Sequence, residues 1–463
     1  MPTMNAKARQ KASEFVEDRR VRLLSFDPGP PFRPAAPEAD SQCDCACFAV
    51  EGAEIPVLDM PLSFYLELTP LCNNRCPGCG NVFVDRASPH AFSPSLSASG
   101  WQEVLAQIAP FACQIRVTGG EPTLHPDFGE IMEEISRLGI PFTLFSNARW
   151  SDPLGLCRFL TDLKGLNGLL ISLHGAEAAA HEAFTGVSGS FAETVRNIRH
   201  AVGAGLSVSL SCIITHLNWD RIRDIWGLAQ QLGAESVVFN RYIGPDVAGL
   251  AASPAELLAA LEAISALRAS GVPVKMGNCV PHCFAADGQA GCLAGLAFLT
   301  IDPWGRVRPC NHAPVICGDL RRRSLAEIWH SPALEAWRDF RPEPCRSCSV
   351  FATCRGGCKA QAYSLGLDAD PLLDTQAKPL PVPRRQWTFY EKARPVGRFE
   401  RRSERSGTLL LRGNRLALVH HDQVAVLDML DGQTTMRQIE QVHGMVGLEL
   451  VADLYERHLV ELC

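Results

Sequence analysis

No stretch of this 463-residue chain is apolar for long enough to cross a bilayer. The opening segment, MPTMNAKARQKASEFVEDRR, is charged throughout and lacks the apolar centre of a secretory signal, so a cytoplasmic setting is expected rather than export. An excess of positive charge is also missing. The formal net charge is -6, which gives no general pull toward nucleic acid or an anionic membrane, and neither is expected as a partner. Charged residues make up 20% and hydrophobic residues 46%, the balance of an ordinary soluble globular protein. The length admits roughly two to three domains.

Cysteine is what the chain has in excess, with 19 copies. An odd number cannot pair completely within one chain. In a reducing compartment structural disulfides are rare, and spaced cysteine clusters more often hold metal or carry redox chemistry. The tightest group is LTPLCNNRCPGCGN, residues 68–81, which places Cys72, Cys76 and Cys79 in a CX3CX2C spacing just after an apolar strand. Thiolates are soft ligands suited to zinc or to iron–sulfur clusters. Zinc sites usually draw four ligands from two separated pairs. Three thiols with no fourth nearby make a poor zinc site. They make a good grip on three irons of a cubane, leaving the fourth iron open to a small chelating substrate.

This loop resembles the cluster loop of radical S-adenosylmethionine (radical SAM) enzymes. The resemblance implies a 4Fe-4S cluster on Cys72, Cys76 and Cys79 whose open iron binds the amino and carboxylate groups of S-adenosylmethionine. Electron transfer then yields methionine and a deoxyadenosyl radical that abstracts hydrogen from an unreactive C–H bond, with a reductant such as flavodoxin or ferredoxin as partner. One position departs from the family. An aromatic residue often precedes the third cysteine, whereas this chain has Gly78, so adenine packing is expected from elsewhere.

Downstream, apolar strands alternate with amphipathic helices. Strands are expected at 62–69, 113–122 (ending in a glycine turn), 140–147, 168–175, 206–215, 235–242 and 273–276. Helices are expected at 127–139, with Asp127 and Glu130 as a capping pair, at 190–205, with Ser190 and Glu193 as a capping box, and at about 219–232 and 254–270. A β-then-α order gives a parallel sheet, and the expected fold is an α/β partial barrel, open on one side, with functional residues at the C-terminal strand ends.

Several motifs fall at those ends. Gly119, Gly120, Glu121 and Pro122 form GGEP, whose glycines leave room for close approach of a ligand and whose carboxylate can hold an ammonium. The same four residues also read as a plain strand-to-loop turn. By resemblance, GGEP contacts the amino group of S-adenosylmethionine, while Ser146, Asn147, Ser172, His174, Asn240 and Arg241 line its ribose and carboxylate. Each of these alone is also an ordinary turn or cap residue. Arg241 is a further candidate for pairing with a substrate carboxylate. His174 reads as a hydrogen-bonding wall residue rather than a base, and no catalytic acid or base is singled out.

A second cysteine field follows. The run Cys292-X12-Gly305-X4-Cys310, then Cys345, Cys348, Cys354 and Cys358 as CX2CX5CX3C, resembles the SPASM extension, which carries auxiliary 4Fe-4S clusters. The resemblance assigns Cys292, Cys310 and Cys358 to a first auxiliary cluster, with Cys283 as its fourth ligand. It assigns Cys345, Cys348 and Cys354 to a second. The family's final cysteine is missing, because Leu372 and Leu373 stand in its place. Asp370, Asp374, Cys317 and Cys463 are candidates for the open position, and a zinc ribbon is the competing reading of the paired spacing. Segment 297–310 reads as a hairpin turning at DPWG.

The expected organisation is an N-terminal arm at 1–60 with Cys43, Cys45 and Cys47, a radical SAM core at 61–278, a SPASM domain at 279–374, a Pro- and Arg-rich linker at 375–405, and a small domain at 406–463. The last reads as a hairpin at 408–419 turning at Gly413–Asn414, then helices at 422–432, 434–444 and 448–460. Its order resembles PqqD-like peptide-recognition domains, winged helices that bind a precursor's leader by adding it as a strand. A DNA-binding winged helix or a structural cap would look alike. The resulting expectation is a radical SAM/SPASM enzyme acting on a ribosomally made peptide or protein. The alternatives are a radical enzyme for a small metabolite and a zinc-containing winged-helix regulator.

Overall fold

Strands buried on both faces read as continuous apolar runs, and the middle of this chain is built from them. The computed structural model describes residues 21–24, 57–82, 94–285, 291–374, 387–412 and 415–463. The chain forms two units, Ser41–Pro381 and a smaller one combining Met1–Asp40 with Val382–Cys463. The strand β1 (Val21–Leu24) belongs to the smaller unit.

In the larger unit β2 (Ser63–Glu67), β3 (Gln114–Thr118), β4 (Phe142–Ser146), β5 (Leu166–Ser172), β6 (Val208–Ile214), β7 (Ser236–Arg241) and β8 (Val274–Met276) lie side by side in chain order, all parallel. Helices cross between successive strands, as parallel pairing requires. On the other side of β2, β9 (Phe298–Ile301) adds in parallel, then β10 (Arg306–Arg308) and β11 (Gly318–Asp319) antiparallel, completing ten strands in the order β11-β10-β9-β2-β3-β4-β5-β6-β7-β8. The ends β8 and β11 do not pair with each other, so the barrel is incomplete.

Local chemistry accounts for the helices. Ser253 and Glu256 form a reciprocal capping box at the start of Pro254–Ala269, with proline at its first position. Ile222–Leu232 buries Ile222, Ile225, Ala229 and Leu232 and ends on Gly233 in the left-handed region. Two expected caps are used differently. The Asp127 carboxylate accepts from the Ala98 N–H at 2.9 Å, at the start of the helix Ala98–Ile108, and makes no bond to its own helix. Ser190 is the first residue of its helix and bonds to Thr185 at 2.7 Å, while Glu193 pairs with Arg149 at 2.8 Å. Helices Ala98–Ile108, Pro153–Asp162 and Ala178–Thr185 were not among the sequence expectations.

The hairpin of the cysteine-rich extension is continuous with the core sheet, since β9 pairs with both β2 and β10. A buried ion pair reinforces that seam. Glu67 ends β2, Arg308 ends β10, and their side chains are 2% and 1% exposed. Arg308 also donates to the carbonyls of Asn311 and Ala313, each at 3.0 Å. Burial pushes the Glu67 carboxyl up, and Arg308 opposes the shift.

In the smaller unit β12 (Trp387–Tyr390) pairs in parallel with β1. β13 (Pro395–Gly397) pairs antiparallel with β17 (Val460–Leu462). β14 (Glu400–Glu404), β15 (Gly407–Arg412) and β16 (Arg415–His420) form an antiparallel meander. Three strands thus fall where a linker was expected, and the N-terminal arm contributes a fourth, because alternate residues such as Trp387 and Phe389 are buried. The expected helix at 422–432 is a 3-10 helix, His421–Met429. The two that follow run as Met436–Glu456, broken at Gly444 (φ 62°, ψ -156°), and residues 460–462 are strand rather than helix. Cys43, Cys45, Cys47 and the Gly413–Asn414 turn lie outside the described residues.

Removing Arg308 would leave a carboxyl group buried without its partner. Arg308→Ala is expected to lower stability by about 3–5 kcal/mol, and Glu67→Leu/Arg308→Met to recover most of it, read by anaerobic urea denaturation. A loss below about 1 kcal/mol, as for an exposed pair, would show that the pair does not secure the seam.

Candidate active site

The loop that follows β2 is fastened along its whole length. The Leu68 N–H donates to Thr118 at 2.9 Å, and the N–H groups of Gly120 and Glu121 donate to the Thr69 and Leu71 carbonyls at 2.7 Å each. This close backbone approach explains the two glycines. Gly119 has φ 152°, and a Cβ on Gly120 would lie 2.2 Å from the Leu71 carbonyl oxygen. Farther along, Arg149 donates to the Asn73 carbonyl at 2.6 Å and to the Asn74 side chain at 3.0 Å. Asn147 donates to the Asn73 side chain at 2.7 Å, the Arg75 N–H to Thr185 at 2.8 Å, and Asn81 to the Gly119 carbonyl at 3.1 Å. The loop's end meets the cysteine-rich extension, where His312 Nδ1 lies 2.9 Å from the Gly80 carbonyl.

Glu121 is the knot beneath this loop. Its carboxylate is fully buried and accepts from Ser146 Oγ at 2.9 Å, Thr123 Oγ1 at 2.7 Å and the Asn147 N–H at 2.7 Å. Its acceptor capacity is therefore spent on the protein. Of the GGEP motif, Gly119 and Gly120 line the cavity, while Glu121 and Pro122 stand behind them.

The cavity has a volume of about 440 Å³ and is lined by Cys72, Cys76 and Cys79 together with Ser146, Asn147, Ser172, His174, Asn240 and Arg241. Tyr65, Phe145, Phe184 and Phe298 supply apolar wall. Cys72 and Cys79 are open to this space yet walled by protein elsewhere. Burial raises both thiols, Cys79 to about 11, and raises Cys76 further with the repulsion of its two neighbours. Backbone N–H groups oppose the shift, Asn74 at Cys72 and Asn81 at Cys79. Clustered thiols that repel one another as anions, each met by an amide donor, fit a cationic iron–sulfur cluster. Among the described residues, no three His, Cys, Asp or Glu side chains converge as one metal ion would require.

Gly78 is explained by Tyr242, which follows β7. A Cβ at position 78 would lie 2.4 Å from the Tyr242 ring, so the aromatic group missing from the loop is replaced by one packed onto it. Two strand-end residues are already engaged. His174 Nδ1 accepts from the Ile213 N–H at 3.3 Å, and burial holds the imidazole well below its ordinary range, so it stays neutral. Arg241 forms a two-pronged pair with buried Asp370, at 2.7 and 2.9 Å, which leaves the guanidinium committed within the protein rather than to a substrate carboxylate.

The second cysteine field separates into two groups. Cys279 is hydrogen-bonded to Cys292 and draws its thiol down to about 7, and Cys310 and Cys358 face the same pair. These four line the cavity. Cys283 does not. It lies with Cys345 and Cys354, and Cys348 completes that neighbourhood. Cys283, which the resemblance placed in the first set, sits beside Cys354 instead, and its turn is anchored there: the Cys354 sulfur accepts from the His282 N–H at 3.4 Å.

Residues 66–229 match the family model described as the radical SAM superfamily, and residues 292–349 match SPASM, an iron-sulfur cluster-binding domain. The PqqA peptide cyclase of Methylobacterium nodulans is 31% identical over 334 residues, spanning 69% of this chain and 86% of that protein. The chain is a radical SAM/SPASM enzyme. Its cofactors are 4Fe-4S clusters and S-adenosylmethionine. The PqqA peptide cyclase of Xanthomonas euvesicatoria pv. vesicatoria is 32% identical over 370 residues, spanning 74% of this enzyme and 96% of that one. The fold is shared with Streptococcus suis SuiB bound to its precursor peptide SuiA (TM-score 0.57, 16% identity, 69% of this chain and 76% of that one). It is shared also with anSMEcpe bound to AdoMet (TM-score 0.53, 15% identity, 70% and 94%). No helix among the described residues is long and apolar enough to cross a membrane.

Arg149, Tyr242 and His312 escaped sequence reading, because each acts on the loop from a distant segment and none carries a local motif. The Gly78–Tyr242 fit is testable. Gly78→Phe is expected to lose most of the iron bound by the loop after reconstitution, and Tyr242→Ala in the same chain to restore it, read by iron content and the EPR signal of the cluster. Full iron in Gly78→Phe alone would show that the ring does not confine the loop.

Proposed function

We propose that this enzyme modifies a ribosomally made precursor peptide by radical chemistry, forming an intramolecular crosslink. The observation that carries this is the 31–32% identity to PqqA peptide cyclases along 86–96% of their length. Cys72, Cys76 and Cys79 would hold the cluster that binds S-adenosylmethionine. Together these groups supply a carbon radical able to take hydrogen from an unreactive C–H bond. The chain's part is enclosure and positioning. Gly119 and Gly120 present backbone to the cavity, and Ser172 and Asn240 offer polar contacts for S-adenosylmethionine. Ser146 and Asn147, which the sequence expectation also placed against it, spend their main bonds on Glu121 and the loop. The aromatic wall and a neutral His174 give the radical's surroundings an apolar side.

Peptide capture is assigned to the smaller unit. Its meander β14-β15-β16 pairs only internally among the described strands, so β14 and β16 are both edges. An extended leader can add to such an edge through backbone hydrogen bonds. The resemblance of this segment to PqqD-like modules supports the same role. A low-potential reductant such as flavodoxin or ferredoxin, and a cytoplasmic location, complete the reading.

The test uses the enzyme, reconstituted anaerobically with S-adenosylmethionine, dithionite and candidate precursor peptides drawn from neighbouring reading frames. Deoxyadenosine is expected, with a peptide product lighter by two hydrogens. A peptide lacking its leader is expected to bind more weakly and to be modified poorly. Deoxyadenosine release without any change in peptide mass would reject the peptide as substrate. Release that persists when Cys72, Cys76 and Cys79 are all alanine would reject the assigned cluster.

A further inference from the structure

The cysteine-rich extension ends without its final cysteine, since Leu372 and Leu373 occupy that stretch. Two carboxylates flank that stretch, Asp370 and Asp374, and Asp370 is fully committed. It pairs with Arg241, accepts the Cys358 N–H at 2.7 Å and accepts the Leu372 N–H at 3.0 Å. Its side chain is 0% exposed. Cys317 is buried near Arg338 rather than among the other thiols, and Cys463 belongs to the smaller unit.

An upstream turn occupies the gap instead. Phe284 and Ala285 donate back to the Pro281 carbonyl, at 3.0 and 3.1 Å, closing a turn around Cys283. Both sides of this loop are tied to the CX5CX3C segment. The His282 N–H donates to Cys354 Sγ, and the Gly291 N–H donates to the Thr353 carbonyl at 2.8 Å. Gly357, at φ 80°, has no Cβ because Pro281 and Asp370 fill that space, at 2.7 and 2.5 Å from where it would stand. Cys283 is thereby set among Cys345, Cys348 and Cys354, and the backbone of Asp374, just past the missing cysteine, donates to its sulfur. The segment that should deliver a ligand delivers an amide to one.

We propose that Cys283, from the turn before the extension, is the fourth protein ligand of the second auxiliary cluster with Cys345, Cys348 and Cys354, and that Cys279 completes the first with Cys292, Cys310 and Cys358. This rests on the radical SAM/SPASM assignment and replaces the absent downstream cysteine with an upstream one. Each thiol gives up its proton to solvent on ligation. The exchange leaves Asp370 in its structural role, joining the Arg241 strand end to the Cys358 backbone. It also makes both auxiliary sites all-cysteine, in four-ligand sets that suit 4Fe-4S clusters.

The experiment is done in full-length Cys72→Ala/Cys76→Ala/Cys79→Ala enzyme, so that bound iron reports the auxiliary sites alone. About eight irons per chain are expected after anaerobic reconstitution, falling to about four on adding Cys283→Ala. Cys279→Ala is expected to remove the other set, leaving a different EPR signal. Cys283→Ser tests the ligand without emptying the site: iron is expected to be retained, with a shifted EPR signal and reduction potential. Asp374→Asn is expected to keep both clusters. Undiminished iron with unchanged spectra in both Cys283→Ala and Cys283→Ser, or loss of a cluster in Asp374→Asn alone, would overturn the ligand assignment. Identical residual spectra in Cys283→Ala and Cys279→Ala would overturn the partition into two sets. No iron in the starting variant would overturn the auxiliary-cluster reading itself, a result distinct from retention of both clusters.

Discussion

The Glu121 carboxylate is out of reach of water, and its surroundings are arranged to satisfy it. Ser146, Thr123 and the Asn147 backbone surround it, so the ends of β3 and β4 are locked to one another. From that lock Asn147 and Arg149 reach forward to the cysteine loop, and the adjacent glycines let the loop's backbone lie directly on the sheet. A buried carboxylate is costly unless every acceptor site is filled. Meeting that demand leaves little freedom in where the three thiols stand. Sequence motif and cavity geometry thus meet at a residue that does not itself line the cavity.

What the sequence disclosed and what it concealed follow from the range of the interactions involved. The gathering of Cys72, Cys76 and Cys79 at one cavity was legible because the three are neighbours in sequence. The core strands were legible because burial on both faces writes an uninterrupted apolar run, as in β2 and β3. The hydrogen bonds that Glu121 accepts were hidden because two of their donors come from the next strand end, outside the motif. The neighbours of Cys283 were not legible from spacing, since the turn at Pro281 ties its segment to Cys354. Residues 375–405 had a linker's composition, yet alternate burial in β12 makes part of it sheet.

Electrostatics also divides the labour within the larger unit. Three arginines in or around the site are held by acidic partners of their own, Arg241 by Asp370, Arg308 by Glu67 and Arg149 by Glu193. Each pair spans two segments distant in sequence, so each works as a crosslink as well as a neutralised charge. Neutral histidines and apolar rings make up much of the remaining wall. An interior with few uncommitted charges favours chemistry in which a reactive carbon must meet only its intended hydrogen.

The pairing of β1 with β12 has a consequence for biosynthesis. Val21 packs in the same core as Trp387, Phe389 and Tyr455, so the smaller unit draws on both extremes of the polypeptide. On the ribosome, the first strand emerges long before its partner and must wait while the whole of the larger unit is translated. The smaller unit cannot close its core before then, and a fragment lacking β1 would start with one flank of that core bare.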